Sequence, residues 1–379
     1  MRMRSLASLS VATCLWIACV PSHEMADTQP ATRTCPGEPA DEGAIDWYFP
    51  AKPGDNEKLE RWCLTLGPPV IDSVPSPSFG QLEDGDSLAI AVFNPDGGSG
   101  NLLSFISDEL GLDCSGPTPV LKPYASHFVL LLQEALRRSN DIPDVPKQYE
   151  ILRAVDAGRP DSVVDVLEVA GQCGLSVFYM PAVRNGWEAR GGKREDKGNA
   201  ILSTLPLSDP VAIELPLEGA RRAMAAATVH AASGDSLRVA TVHLETTAGL
   251  WRLIRTGNAS RLRQALAIAD VLDRIEVERG RPVSQSEVPH YGISTILAGD
   301  LNIWTTSETS FRHLWEYFPD SPGPLAEGTR GPFPTDHILF RRGTVFPTNA
   351  QVIEGTYQRI DREYSSDHRA SIAWFRFGN

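Results

Sequence analysis

The sequence predicts an α/β fold, and three observations carry the prediction. Compact apolar runs of strand length recur between residues 88 and 377, amphipathic stretches of helical period are few, and polar or charged residues stand repeatedly where an apolar run stops. Short apolar runs are what buried strands require, and a handful of one-faced helices suffices to cover the sheets they build.

Taken in order, residues 88–93 form the first strand of the domain, ending in Asn94-Pro95-Asp96-Gly97-Gly98-Ser99-Gly100, a turn ahead of a helix expected over 101–110. Residues 128–132 form a second strand and run directly into Gln133-Glu134. A carboxylate at the end of a buried strand is costly unless it is solvated, paired or on a metal, so Glu134 reads as a ligand. Asp161 is the expected N-cap of a helix that buries Val163, Val166, Leu167, Ala170 and Cys173 and closes at Gly174. Strands are then expected at 176–180, 200–203, 211–215, 223–230 and 237–243, the last delivering His243, with 184–197 a polar loop at a site rim. The longest helix is expected over 258–278.

An apolar strand then leads into Gly299-Asp300-Leu301-Asn302. Alternation along extended backbone would turn Asp300 and Asn302 to one face, where a carboxylate and an amide suit a hydrated hard cation or a water held against a phosphate. The other reading of this stretch is a strand followed by an Asx-turn. Asp336 precedes a strand at 338–340, and Asp367-His368 precedes the last one, 372–377.

Ahead of the domain, Met1-Arg2-Met3-Arg4 and the apolar run 6–20 read as a secretory leader, too short for a membrane span. Ala18-Cys19 is similar to a bacterial lipobox, which would put a lipid anchor on Cys19; ordinary cleavage near Ala26 is the alternative. The expected layout is a leader over 1–19, a linker and small disulfide-containing region over 20–86, and a catalytic domain over 87–379. Cys35, Cys63, Cys114 and Cys173 lack Cys-x-x-Cys spacing and suggest disulfides in an exported chain. Three pairings are open, and proximity favours Cys35–Cys63 with Cys114–Cys173. The net charge of −13, or −15 once Arg2 and Arg4 leave, excludes bulk attraction for polyanions. Only Arg221-Arg222 and Arg341-Arg342 offer local basic pairs.

Together, Asn94, Gln133-Glu134, His243, Asp300-x-Asn302, Asp336 and Asp367-His368, with Gly198-Asn199-Ala200-Ile201-Leu202-Ser203, resemble the endonuclease/exonuclease/phosphatase superfamily over residues 88–377. The resemblance implies a four-layer α/β/β/α sandwich of two mixed β-sheets and hydrolysis of a phosphate ester assisted by Mg²⁺, with Mn²⁺ or Ca²⁺ as alternatives. It implies Glu134 as principal metal ligand, with Asn94 and Asp367 nearby. Asp300 would orient or deprotonate the attacking water, and Asn302 would hold that water or a phosphate oxygen. His368, steered by Asp336, would contact the scissile phosphate; His243 would contact it from the other side or protonate the leaving oxygen. Asn199 and Arg222 are the expected phosphate contacts, with the register open between Arg221 and Arg222. A carboxylate partner for His243 is not assigned among Glu188, Glu195 and Asp196. The substrate stays open between nucleic acid and a phospholipid or inositol phosphate, and a monomer is expected. The rival reading, a non-catalytic surface lipoprotein using the sandwich as a binding scaffold, predicts decay of the polar strand ends, and none has decayed.

Overall fold

The computed structural model describes residues 45–48, 62–143, 153–154, 163–185, 194–246, 259–279, 292–325, 327–343 and 350–377. The leader with Cys19, together with Cys35, Asp161 and Glu188, lies outside them.

The strands in chain order are β1 (Asp46–Tyr48), β2 (Val70–Asp72), β3 (Ser87–Phe93), β4 (Leu112–Asp113), β5 (Val120–Leu121), β6 (His127–Ser139), β7 (Arg153–Ala154), β8 (Ser176–Asn185), β9 (Arg194–Ser203), β10 (Ser208–Glu214), β11 (Ala223–His230), β12 (Ser236–His243), β13 (Ser294–Asp300), β14 (Asp336–Arg341), β15 (Gln351–Val352), β16 (Gln358–Arg359) and β17 (Ser371–Arg376). One sheet runs β1-β10-β11-β12-β13-β14 and the other β15-β17-β3-β6-β9-β8-β2, with β16 beside β17 and β7 beside β8. Both are mixed: β12 and β13 are parallel while β13 and β14 are antiparallel, and β3 and β6 are parallel while β6 and β9 are antiparallel. Two pieces of the stretch expected to precede the domain, β1 and β2, are strands of the two sheets, on β10 and β8.

Period-two alternation sorts the side chains into three cores. Leu88, Ile90 and Val92 of β3 meet Val239 of β12 and Ile296 and Ala298 of β13 between the sheets. Ala89, Ala91 and Phe93 face the other way, onto helices α1 (Leu102–Asp108) and α2 (Val166–Cys173). On the far side Ala240, Val242 and Leu297 pack on α3 (Ala259–Glu278) and α4 (Thr309–Tyr317). The result is the four-layer α/β/β/α sandwich.

Three expectations need correction. Helix α2 is capped by Asp165, whose carboxylate accepts from the Leu167 and Glu168 N–H groups, so it starts beyond Asp161. α4 was not expected as a helix. The supposed rim loop 184–197 is largely strand, because its charges find partners across the ladder. Arg137 stands opposite Asp196 and Arg138 opposite Glu195 in the β6–β9 register, and each pair forms a salt bridge. Cys114 and Cys173 are joined, fastening the end of β4 to the last turn of α2. Cys63 is also disulfide-bonded. No helix of the described residues is long and apolar enough to cross a membrane.

Candidate active site

The polar residues continue the inward-facing positions of their strands. Beyond Leu88, Ile90 and Val92 the next such position is Asn94; beyond Val129 and Leu131 it is Gln133; beyond Leu237 and Val239 come Thr241 and His243. Ile296 and Ala298 lead to Asp300, Phe340 and Ile338 lead back to Asp336, and Ile201 leads back to Asn199. Strand pairing gathers these at one end of the sandwich, since His243 stands opposite Asp300 and Asp300 opposite Asp336. Gly299 permits the approach of β12 and β13, as a Cβ there would fall 1.9 Å from the Val242 carbonyl oxygen.

Glu134 leaves the alternation. The β6–β9 register shifts between Leu132 and Ala135, so two residues oppose one, and Glu134 takes φ 48°. Such a bulge re-aims a side chain. It places Gln133 across the sheet gap on Thr241, at 2.9 Å, and frees Glu134 to reach a pocket lined also by Lys197, Asn199, Arg222 and His243.

At the centre lies Asp300, fully buried. Its Oδ2 accepts from the Asn94 amide at 3.2 Å and lies 3.3 Å from His243 Nε2 and 3.6 Å from His368 Nε2. The Nδ1–H of His368 donates to Asp336 at 2.9 Å, and Thr335 and Thr329 hold Asp336 in turn. Ser366 fixes the His368 loop to the end of β3, donating to the Asn94 carbonyl at 2.6 Å and accepting from the His368 N–H. The other ring nitrogen of His243 lies 3.8 Å from Glu134 Oε1. The carboxylates nearest His243 are therefore Glu134 and Asp300, with its Nε2 buried and making no hydrogen bond among the described residues; Glu195 and Asp196 are engaged by arginines on β6.

Burial shapes the proton affinities. For Asp300, desolvation and then the neighbouring Asp336 raise the carboxyl pKa to about 7 against the pull of His368. For His368, burial works downward, but the Asp336 charge and hydrogen bond dominate and raise it to about 9. Asp336 is correspondingly lowered, its burial outweighed by the imidazolium. His243 is held well below the ordinary histidine value, by burial first and Arg222 next. In Glu134 burial works upward, yet Lys197, then His243, bring the carboxyl well below its usual range.

The two arginines are placed differently. Arg221 is fully buried, paired with Glu214, and donates to the Pro181 and Ala182 carbonyls at 2.6 and 3.1 Å. Arg222 lines the pocket, and its Nε is buried without a hydrogen-bond partner among the described residues. Replacing Arg221 with methionine is expected to lower stability by about 3–5 kcal/mol, because it strands a buried Glu214, whereas Arg222→Met should leave denaturant unfolding within about 0.5 kcal/mol of wild type. Equal losses in the two variants would contradict this division.

Asn302 departs from the strand reading. The strand ends at Asp300, Asn302 takes φ 51°, and its N–H donates to Asp300 Oδ1 at 2.9 Å, which is the Asx-turn. Its amide donates to the Leu244 carbonyl at 3.0 Å and so steadies the segment after His243. The amide nitrogen of Asn199 is likewise engaged, by the Ala223 carbonyl at 2.6 Å. Lys197 was overlooked in the sequence; its Nζ lies 2.6 Å from Glu134 Oε2.

The expected metal ligands occur around this centre without converging. Asn94 Oδ1 accepts from the Asp96 N–H, Asp367 pairs with Arg330 at 2.7 Å and approaches His368 Nε2 at 3.7 Å, and Glu134 holds Lys197. Asp300, Asp336 and His368 bring ligand-type atoms within 4.8 Å of one another. The donors of Asn94, Glu134 and Asp367 are all oxygen, the ligand type of a hard divalent ion such as Mg²⁺, Mn²⁺ or Ca²⁺, and Glu134 already holds a cationic group.

No protein-family model and no curated protein matches the chain. Among solved structures it is similar to an endonuclease/exonuclease/phosphatase protein from Beutenbergia cavernae, at 16% identity and TM-score 0.47 over 78% of this chain and 72% of that one. The catalytic domain of human Nocturnin with bound sulfate matches at 15% identity and TM-score 0.46, over 80% of this chain and 99% of that one. Sphingomyelinase C from Streptomyces griseocarneus matches at 15% identity and TM-score 0.40, over 77% and 99%.

Proposed function

We propose that the chain is a metal-dependent phosphoric ester hydrolase of the endonuclease/exonuclease/phosphatase type. The observation that carries this reading is the buried row Asp336–His368–Asp300–His243, with Nδ1 of His368 held at 2.9 Å by one carboxylate and its Nε2 turned to another. Phosphate ester hydrolysis needs a base for water and fixed positive charge against the crowded anion. Asp300, with its raised pKa, is the base. His368, kept as imidazolium by Asp336, neutralises the phosphate oxygens, joined by Arg222. His243, kept neutral, donates a hydrogen bond from the opposite side. Asn302 and Asn199 act by position, the first steadying Asp300 through its backbone N–H, the second tying the pocket wall together. Glu134, Asn94 and Asp367 would hold the cation, which when bound withdraws charge from the phosphate and acidifies water. The leader and the Cys114–Cys173 disulfide support an exported protein, anchored through Cys19 or released.

A hydrolysis panel of plasmid DNA, RNA, sphingomyelin, inositol phosphates and simple phosphodiesters tests the reading and chooses the substrate. Glu134→Gln removes charge at constant shape and is expected to lower activity at limiting Mg²⁺ by at least the roughly 10–100-fold that loss of a residue merely supporting a metal ligand costs. Undiminished turnover in excess chelator would overturn the metal-dependent reading.

A further inference from the structure

The pocket beside Asp300 contains an ion pair that a metal-binding carboxylate would not be expected to keep. Lys197 Nζ sits 2.6 Å from Glu134 Oε2, with the two side chains 10% and 24% exposed. An ammonium and a divalent ion at one carboxylate repel each other, so an arriving cation weakens the hold of Glu134 on the lysine. The same pocket shows where it can go. Arg222 lines it, and His243 completes the wall. Arg222 and His243 thus bring a permanent positive charge and an N–H-bearing ring to the same pocket wall as Lys197, and the flexible four-carbon stem of lysine lets its head move between neighbours.

We propose that Lys197 is an exchangeable counter-ion: it neutralises Glu134 in the resting protein, yields that carboxylate to the divalent cation, and transfers its ammonium to the substrate phosphate beside Arg222. The inference rests on the hydrolase reading and adds a residue to it. Charge is conserved in the exchange, since the ion pair Glu134–Lys197 becomes two pairs, carboxylate with metal and ammonium with phosphate. The consequence is mutual dependence of metal and phosphate: a phosphate that draws Lys197 away favours the cation at Glu134, and by reciprocity the cation favours the phosphate.

The test measures binding directly, with Mn²⁺ followed by the paramagnetic resonance of the free ion and inorganic phosphate as the anion, correcting for their association in solution. In the wild type, phosphate should tighten Mn²⁺ binding by about tenfold. Lys197→Met should bind Mn²⁺ about tenfold more tightly without phosphate and gain nothing further from it. Lys197→Arg keeps the cation and should retain a phosphate effect on Mn²⁺ binding, unlike Lys197→Met, and Lys197→Gln replaces the methionine variant if circular dichroism shows that variant unfolded. Equal Mn²⁺ affinity in wild type and Lys197→Met, or an undiminished phosphate effect in that variant, would overturn the exchange while leaving the hydrolase reading standing. Absence of Mn²⁺ binding in every variant, with hydrolysis that ignores chelator, would overturn both.

Discussion

Replacing His368 with alanine is expected to lower kcat/KM by about 10²–10⁴, the range for loss of a positioned acid–base group. Asp336→Asn should cause a loss of similar order, because it removes the charge that keeps the imidazole protonated and can impose the wrong tautomer by donating where the carboxylate accepted. The two residues share one hydrogen bond of 2.9 Å and no described group replaces Asp336 at Nδ1. The double variant should therefore lose far less than the product of the single losses. His368 followed by NMR in the metal-free protein should titrate near its raised pKa of about 9 and shift downward in Asp336→Asn. Fully multiplicative losses with an unmoved titration would assign Asp336 to the turn it makes with Thr329 and Thr335.

Asp300→Asn should be at least as damaging, with a loss of about 10²–10⁴, since it removes the proposed base, while the nearby Asp336 is tied to His368 Nδ1. The pH profile gives an independent reading. A base must be ionised to accept a proton, so activity rises with pH through the Asp300 pKa of about 7, or below that value once a cation binds alongside. An imidazolium must keep its proton to serve the phosphate, so activity falls through the His368 pKa of about 9. The expected kcat/KM profile is a bell between these limits, and Asp336→Asn should move both limbs downward, the alkaline one because His368 loses its charged partner and the acid one because Asp300 loses a neighbouring negative charge. An Asp300→Asn enzyme retaining more than about a tenth of wild-type activity would remove Asp300 from the base's role.

Asp300, His243 and Asp336 were legible in the sequence because each ends an apolar run on the same parity as the residues packed between the sheets. Glu134 was legible as a carboxylate at a strand stop, although the bulge that aims it was not, since a single extra residue leaves no mark without knowledge of the opposing strand. Lys197 was hidden for a different reason. It lies in Arg194-Glu195-Asp196-Lys197, a charge run typical of loops, and these residues are strand only because Arg137, Arg138 and Glu134 neutralise them from about sixty positions away in the chain. The choice between Arg221 and Arg222 likewise depended on Glu214, which the sequence alone could not place beside either.

Asn94, Glu134, Asn199 and His368 are carried by the nine-stranded sheet, and His243, Asp300 and Asp336 by the six-stranded one. The bonds Gln133–Thr241, Asn199–Ala223, Asn94–Asp300 and His368–Asp336 all cross the gap between the sheets. These groups stand as the two jaws of a caliper, with the leucines, valines and isoleucines between the sheets filling the gap behind them. On the hydrolase reading, core packing is expected to act on rate as well as on stability: trimming Leu131, two residues along the strand from Gln133, should alter the spacing of the two sets of groups and lower kcat by more than the loss of stability accounts for.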